Sequence, residues 1–321
     1  MKPRTAVAAP SGHILMKNRG QPALIWQLTR RGFCSEINVM VLGVLFSLLH
    51  DMDFMLCSKY WSSAYHHGWR DYFDPFCEEL ASPLLRPAMI FDTTTACRRY
   101  LSWAQKAALA GSLGRGFCLT RDVWEKIWDR KFIEQRFDIE SWGIHGDSYT
   151  ACQIILRAIW RFNERMQRVA MDAQSRLSVN TEPYFAIHIR RGDKRNEAPI
   201  HDLSRYINAV HDINRHVTNA FVMTDDFSSV LELRDRCPDW NIETMCSQQN
   251  AGHDQRSFNS LASESRRVET ERFLVELTIA QGSLFFVGTA TSNVARLMCL
   301  LKDKESVYCI DQDYHMMGGS V

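Results

Sequence analysis

The sequence predicts an α/β fold, and three stretches carry that prediction. Residues Tyr184–Ile189 (YFAIHI) form an apolar, β-rich run without alternation, which is typical of a central strand buried on both faces. Near the N-terminus, the strand Ala23–Leu28 is followed by a turn and a helical run over Ser35–Leu49. Near the C-terminus, the strand Leu284–Gly288 leads through a short loop into a helix from Asn293. Strands that alternate with helices favour parallel sheets.

The other elements have weaker signals, and the 321 residues fit two domains of ordinary size or one large domain. An aspartate directly after a strand is a common helix N-cap, so Asp226 is expected to cap a helix. The remaining predicted elements are two strands, two helical stretches and one polar loop: Met52–Cys57, Asn219–Met223, Pro83–Asn180, Phe273–Ala280 and Ser247–Ser265.

The composition excludes several classes of function. Contents of 45% hydrophobic and 23% charged residues are those of a soluble globular protein, and a net charge of +1 argues against a dedicated nucleic-acid binder. Ten cysteines without C-x-x-C spacing argue against a structural zinc site and leave one or two disulfides open. The longest apolar run, Val39–Leu49, is too short to span a bilayer. We therefore expect no membrane span and, for the chain as it stands, a cytoplasmic location.

A cluster of fixed charges begins where the central strand ends. Arg190 and Arg191 come first, and Glu197 follows a few residues later. In open α/β sheets, ligands bind at the carboxyl ends of the strands. Guanidinium groups donate hydrogen bonds in pairs to phosphate oxygens, so the two arginines predict an anionic ligand with Glu197 as a base nearby. Gly192 is expected to allow a tight turn. The alternative is a solvated loop held together by ion pairs.

Two features near the C-terminus complete a candidate binding pocket. Glu276 lies in the middle of an apolar helical run, and a buried carboxylate needs a partner. A ligand with two parallel N–H donors on one edge could be that partner, and the alternative partner is a nearby arginine. Thr291 and Ser292 stand at a helix start, where free N–H groups and hydroxyls bind phosphate readily.

The stretch around the arginines resembles the first motif of the α-1,6-fucosyltransferases, which include core fucosyltransferases of N-glycans and bacterial nodulation enzymes. Protein O-fucosyltransferases are more distant relatives. One residue fewer separates Lys194 from Glu197 than in the core enzymes, and Gly192 stands where they usually carry Thr. The matching residues are His188, Arg190, Arg191, Asp193, Lys194, Glu197, Ala198, His201 and Tyr206.

Two further stretches resemble the same family. The segments RGFCSEIN, KYW and GWRDYFDPF resemble its opening, in which the first loop faces the donor diphosphate and the aromatic segment shapes the acceptor side. The aromatic residues of these segments could equally belong to the core. GTATSNVAR resembles the third motif of the family, whose last serine contacts the diphosphate.

The resemblance implies a GT-B fold, in which two Rossmann-like domains face a cleft. Residues 1–179 would hold the acceptor, and residues 180–321 would bind the GDP-sugar. The implied reaction is inverting transfer of fucose from GDP-fucose to a sugar hydroxyl, forming an α-1,6 bond to a GlcNAc of a glycan. A protein O-fucosyltransferase, another GDP-sugar transferase and a catalytically silent GDP-sugar-binding relative stay open. Eukaryotic relatives are normally Golgi proteins, so the location would be the Golgi lumen if the N-terminus is incomplete or an anchor is supplied otherwise.

The resemblance also assigns roles to residues. Glu197 would be the general base, with Lys194 beside it and Asp193 and Arg191 completing the catalytic set. The sequence offers no clear metal anchor, so we expect neither a metal nor another cofactor. The donor would be bound by His188, Arg190, Tyr206, Asp225, Glu276, Thr291, Ser292 and Ser35.

Overall fold

The computed structural model describes residues 20–88, 101–177, 182–192 and 199–312, and the chain divides into two compact units. The predicted boundary between residues 179 and 180 lies outside the described residues. The first unit consists of Met1–Thr29, Val39–Trp61 and His66–Phe162, and the second of Arg30–Asn38, Ser62–Tyr65 and Asn163–Val321.

The first unit is built on a parallel sheet that has four strands within the described residues. These are β1 (Ala23–Gln27), β2 (Asp53–Cys57), β3 (Glu78–Glu79) and β4 (Phe117–Leu119), and they lie in the order β3-β2-β1-β4. Every residue of β1 and β2 is buried, which explains why both strands are apolar except for Gln27 at the end of β1 and Asp53 at the start of β2.

Helices surround this sheet, and a short antiparallel hairpin of β5 (Phe137–Ile139) and β6 (Ile144–Gly146) accompanies them. The stretch from Pro83 was expected to be mostly helical, and that prediction was wrong for β4, β5 and β6. Each of these strands has three residues, which is too few for an alternating pattern to show. The helices are α1 (Phe33–Leu49), which the two units share, α2 (Trp103–Leu113), α3 (Thr120–Ile127), α4 (Arg130–Glu134) and α5 (Ser148–Ile159), with 3-10 turns at Gly68–Asp71, Pro83–Ala88 and Glu140–Trp142.

The aromatic segment after β2 forms part of the core of the first unit. Trp61, Trp69, Tyr72 and Phe73 are all buried, and the rings of Trp69 and Phe73 stack with centroids 4.2 Å apart. Buried aromatic side chains stabilise a fold through their large apolar area. Of the two interpretations open from the sequence, the structure therefore supports a core role for these four side chains.

The second unit is built on a parallel sheet with five strands among the described residues. The order β11-β10-β7-β8-β9 places the central strand of the sequence prediction in the middle, and β7 pairs with β8 along its whole length. The strands are β7 (Tyr184–Ile189), β8 (Asn219–Thr224), β9 (Asn241–Glu243), β10 (Phe286–Gly288) and β11 (Val307–Cys309). In both sheets the chain order reverses beside the first strand, as in doubly wound α/β folds.

Six helices of the described chain belong to the second unit: α6 (Glu164–Ser175), α7 (Leu203–Asn214), α8 (Phe227–Arg236), α9 (Gln255–Ser260), α10 (Ser263–Gly282) and α11 (Asn293–Leu301), with a 3-10 turn at Lys304–Ser306. Asp226 caps α8 by accepting a hydrogen bond from the amide of Ser228 at 3.0 Å, as the sequence predicts. The expected loop over 247–265 was wrong in part, because Asp254 caps α9 and α10 already begins at Ser263.

All cysteines that the structure describes are free thiols, and most of them are buried. Among the helices of the described ranges, none has both the length and the apolar character that a membrane span requires.

Candidate functional site

The candidate site lies at the carboxyl edge of the sheet in the second unit. From β7 the chain proceeds to β8 and β9 on one side, and then returns to place β10 and β11 on the other. The strand order therefore reverses between β7 and β10, and ligands of open α/β sheets bind outside the strand ends at such a point. His188 and Arg190 lie at the end of β7, Asp225 follows β8, and Thr289 follows β10.

Asp225 connects three segments at this edge. Its Oδ2 accepts a hydrogen bond from Nη1 of Arg190 at 2.9 Å and from the amide of His253 at 3.0 Å. Its Oδ1 accepts from the amide of Arg191 at 2.8 Å. The carboxylate is only 11% exposed and the guanidinium of Arg190 is 23% exposed. Asp225 therefore fixes both the direction of Arg190 and the path of the chain around it.

Arg191 points towards the helices that flank β7 and β8. Its Nε donates to Oγ of Ser229 on α8 at 3.2 Å, and its Nη1 donates to the carbonyl oxygen of His201 at 3.0 Å. These contacts connect the strand end to α8 and to the segment before α7. The two adjacent arginines therefore have different surroundings, and Arg190 is the one held by a carboxylate.

Gly192 follows the arginines and lies directly against the segment at His253. A Cβ at position 192 would lie 2.2 Å from the carbonyl oxygen and 2.5 Å from the amide nitrogen of His253. Gly192 lies in a turn, as the sequence predicts, but its φ is not in the left-handed region, whereas that of Gly252 is +108°. The position needs glycine because two backbone segments touch there.

His188 is a buried histidine whose ring is neutral at physiological pH. Burial lowers its pKa to about 4, and the charge of Arg190 adds to that effect while Asp225 opposes it. Its Nδ1 is buried without a hydrogen-bond partner among the described residues. A buried polar atom that lacks a partner is costly, so this nitrogen is a candidate for a ligand contact.

Glu276 is buried on α10, and the arginine that the sequence left open as its partner is present. Nη1 of Arg272 lies 3.3 Å from Oε1 of Glu276 and also 3.3 Å from the carbonyl oxygen of Met245. Burial raises the pKa of Glu276 to about 7; Arg272 opposes this, while Glu269 and Asp225 add to it. The protonated form of this carboxyl group is therefore favoured more than in an ordinary glutamate.

The loop between β10 and α11 contains the hydroxyls that the sequence assigned to phosphate. Ser292 caps α11, since its Oγ accepts a hydrogen bond from the amide of Val294 at 3.3 Å. Thr291 donates both its amide (3.1 Å) and its hydroxyl (2.9 Å) to Oδ2 of Asp311, and the amide of Ala290 donates to Oδ1 at 2.7 Å. A carboxylate of the chain itself therefore accepts the donors of Thr291.

The other predicted site residues differ in how the structure places them. Tyr206 is buried on α7, and burial raises the pKa of its hydroxyl to about 12, with Arg191 and Asp311 among the nearby charges. Ser35 is partly buried in the first turn of α1. Asp193, Lys194 and Glu197 lie outside the described residues.

Metal-ligand geometry occurs elsewhere in the described chain. Asp138, Glu140 and His145 place one ligand atom each within 4.8 Å of one another, and all three are exposed on the β5–β6 hairpin of the first unit. Exposed acidic groups are common without a metal ion. This group contains none of the residues at the switch point of the second unit.

No protein-family model matches this sequence, and no curated protein matches it. Solved structures do match. The fucosyltransferase NodZ from Bradyrhizobium is 10% identical, with a TM-score of 0.54 over 88% of this chain and 94% of NodZ. A mutant of Arabidopsis thaliana FUT1 in complex with GDP is 9% identical, with a TM-score of 0.51 over 91% of this chain and 70% of FUT1.

POFUT1 in complex with GDP is 10% identical, with a TM-score of 0.50 over 91% of this chain and 99% of POFUT1. The chain has the fucosyltransferase fold. Its α/β architecture with parallel sheets matches the GT-B fold of these structures, as the sequence predicts.

Within the fucosyltransferase fold, the structure adds residues that sequence reasoning missed. Asp311 lies two residues after β11, and Asp225 directly follows β8, so an acidic residue close to a strand end was the available signal. Arg272 precedes Glu276 by four residues, or about one helical turn, and side chains at that spacing on a helix can contact each other. His253 had no such signal, because its contact with the strand end depends on how a long connection folds back.

Proposed function

We propose that this protein is an inverting glycosyltransferase that moves fucose from GDP-fucose to a sugar hydroxyl. The observation that carries the proposal is the pair of buried polar side chains, His188 and Glu276, in the unit whose switch point holds the arginines. Buried groups of this kind are retained where a ligand completes their hydrogen bonds. The fold supports the proposal, since FUT1 and POFUT1 were solved in complex with GDP.

The protein would bind the base and the diphosphate of the donor through two separate sets of residues. The carboxylate of Glu276 would accept the two parallel N–H donors of guanine, and the neutral ring of His188 would supply a second contact. Arg190 would face the diphosphate from the end of β7, and the start of α11 would face it from the other side of the switch point. Tyr206 and Asp225 would support Arg190 and its neighbours, and Ser35, in the first turn of α1, would face the diphosphate.

The reaction would proceed by one displacement at the anomeric carbon of fucose. The acceptor oxygen forms the new bond to that carbon while the bond to the β-phosphate oxygen breaks. We assign the removal of the proton from the acceptor hydroxyl to Glu197, and Lys194, Asp193 and Arg191 would complete the catalytic set. The charge that develops on GDP would be stabilised by Arg190 and by the helix start, so we propose that no metal ion takes part.

The acceptor divides the proposal into two candidates. The motif around Arg190 favours an α-1,6 bond to a GlcNAc of a glycan. The likeness to POFUT1, which spans 99% of that protein, favours a hydroxyl of a protein as the second candidate. Related transferases share donor sites more widely than acceptor surfaces, so the fold supports the choice of donor and leaves both acceptors as candidates.

One experiment separates these candidates from a protein that only binds nucleotide. The purified protein is given GDP-fucose with a panel of GlcNAc-terminated glycans and folded protein acceptors, and released GDP and fucosylated product are both measured. Transfer to the glycans with inversion supports the first candidate, and transfer to protein supports the second. Binding of GDP-fucose with neither transfer nor hydrolysis would show a silent relative. Each assay is repeated in EDTA, in which we expect full activity, and a strict need for added metal would contradict the proposed mechanism.

A further inference from the structure

Asp311 accepts three hydrogen bonds from the loop that the proposed function places at the donor diphosphate. We infer that Asp311 is a positioning residue for diphosphate binding, a role that rests on the function proposed above. It holds Ala290 and Thr291 in place, so that Ser292 and the first turn of α11 present their donors to the phosphates. Thr291 then acts through Asp311 and does not itself bind phosphate.

The contacts of the carboxylate use both of its oxygens. Oδ1 accepts from the amide of Ala290 at 2.7 Å, and Oδ2 accepts from the amide of Thr291 at 3.1 Å and from its hydroxyl at 2.9 Å. Burial alone raises the pKa of Asp311, but these hydrogen bonds outweigh it and hold the pKa below its usual value. Asp311 is therefore a fixed anion at neutral pH.

The residue before Asp311 and the loop residue that Asp311 contacts are both held by further hydrogen bonds. The amide of Ile310 donates to the carbonyl oxygen of Gly288 at 3.0 Å, so the segment continues the pairing of β11 with β10. Nη2 of Arg205 on α7 donates to the carbonyl oxygen of Ile310 at 2.6 Å. On the loop side, Nε of Arg296 donates to the carbonyl oxygen of Ala290 at 2.8 Å. The residue Ala290 is thus fixed through its amide by Asp311 and through its carbonyl by Arg296.

These contacts decide which groups of the loop remain for a phosphate. The donors of Thr291 point at Asp311, and a phosphate that took them would leave a partly buried carboxylate without those partners. The hydroxyl of Ser292 is different, because its oxygen accepts the capping hydrogen bond while its proton can still be donated. The geometry therefore assigns the phosphate contact to Ser292 and the positioning role to Asp311.

The experiment compares Asp311→Asn with wild-type protein by two measurements. Hydrogen exchange of a peptide covering residues 288–294, with no nucleotide added, tests whether Asp311 holds the loop. Calorimetric titration with GDP and with guanosine tests whether the held loop serves the phosphates. We expect faster exchange and an affinity for GDP that falls about tenfold, while guanosine binding stays unchanged because guanosine has no phosphate. Thr291→Val, which removes only the hydroxyl, should give a smaller loss of the same kind.

The matched control is Asp202→Asn, which alters a capping carboxylate in the same unit. Asp202 accepts a hydrogen bond from the amide of Ser204 at 2.7 Å at the start of α7, and Asn caps helices about as well as Asp. We expect neither GDP nor guanosine binding to change in this variant. Equal losses of GDP and guanosine binding in Asp311→Asn would show a merely structural role and overturn the inference.

Two other outcomes also overturn it. Tighter GDP binding by Asp311→Asn would show that the carboxylate competes with phosphate for the donors of Thr291. Unchanged GDP binding together with faster exchange would show that the loop does not serve the phosphates. A wild-type protein that binds neither GDP nor guanosine would instead reject the proposed function, so the two failures are told apart by the wild-type titrations.

Discussion

Arg190 and Asp225, at the ends of neighbouring strands, form an ion pair with 2.9 Å between Nη1 and Oδ2. The same carboxylate accepts two backbone amides, from Arg191 and His253. A carboxylate with this many partners is chiefly an organiser of the strand end. The positive charge proposed to meet the diphosphate is therefore oriented by an acidic residue that the sequence assigns to the same site.

Replacing Asp225 by Asn should lower the free energy of unfolding by about 1–3 kcal/mol. Arg190 loses its charged partner, and the amide group has only one oxygen to accept the hydrogen bonds that two carboxylate oxygens accept in the wild type. GDP affinity should fall as well, since Arg190 is no longer held in direction. The control is Asp226→Asn, whose side chain caps α8 and can be replaced at little cost. Denaturant unfolding of both variants measures the difference, and equal stability of the two would remove Asp225 from this role.

Glu276→Ala should weaken GDP binding by about 1–3 kcal/mol, the cost of leaving polar groups of the base without partners. UDP binding should scarcely change, because uracil lacks the guanine edge. Titration of both nucleotides against the variant and the wild type measures the selectivity. If both nucleotides lose the same affinity, Glu276 serves only as the partner of Arg272.

Binding of guanosine should depend on pH through Glu276. Burial raises the pKa of this carboxyl from 4.5 to about 7, and only the ionised form can accept two N–H donors. Affinity should therefore rise with pH through about 7 and fall by up to about tenfold per pH unit below it. Glu276→Gln should bind more weakly and show a flat profile. Guanosine is the probe because it carries no phosphate that titrates in this range.

The same shift predicts a pH dependence of stability with a definite sign. The pKa of Glu276 is higher in the folded protein than the ordinary value of 4.5. Protonated Glu276 therefore makes its full contribution to the free energy of unfolding below about pH 4.5. That contribution is lost as the pH rises through about 7. Glu276→Gln, which cannot ionise, should not lose stability over that window, and unfolding experiments at several pH values compare the two proteins.

Glu197→Gln should leave GDP binding nearly intact and reduce turnover by about 10²- to 10⁴-fold, the usual contribution of a general base. Arg190→Ala should instead lose both binding and turnover. Glu182→Gln is the control, since Glu182 is an exposed carboxylate just before β7. A folded Glu197→Gln variant that keeps kcat within a few-fold and loses thermal stability would make Glu197 an ion-pair partner. Asp193 or Asp225 would then be the candidate base.

Much of the second unit could be predicted from the sequence, because its strands are buried on both faces and read as apolar runs. Tyr184–Ile189 is the clearest case, and every one of its residues is buried. β4 could not be predicted in the same way, since Phe117–Leu119 has three residues and takes its conformation from pairing with β1. Short strands are fixed by their partners, which lie far away in the sequence.

The residues of the candidate site also divide into those that the sequence could place and those that it could not. Residues at strand ends, such as His188, Arg190 and Asp225, could be placed at one sheet edge from the order of elements alone. Their partners could not, because a hydrogen bond from Thr291 to Asp311 or from His253 to Asp225 depends on how separate loops meet. Motifs therefore predict which groups gather at the site, while the contacts decide which of them remain available to a ligand.

The contact of Gly192 with His253 restricts how the two segments can vary in evolution or in design. Any side chain at position 192 would collide with the backbone of His253, so the segment containing Gly252 and His253 would have to move first. A Thr at position 192, the residue that the core enzymes usually carry there, would require this second segment to lie further away. A loop exchange between such an enzyme and this chain would succeed only if both segments were transplanted together.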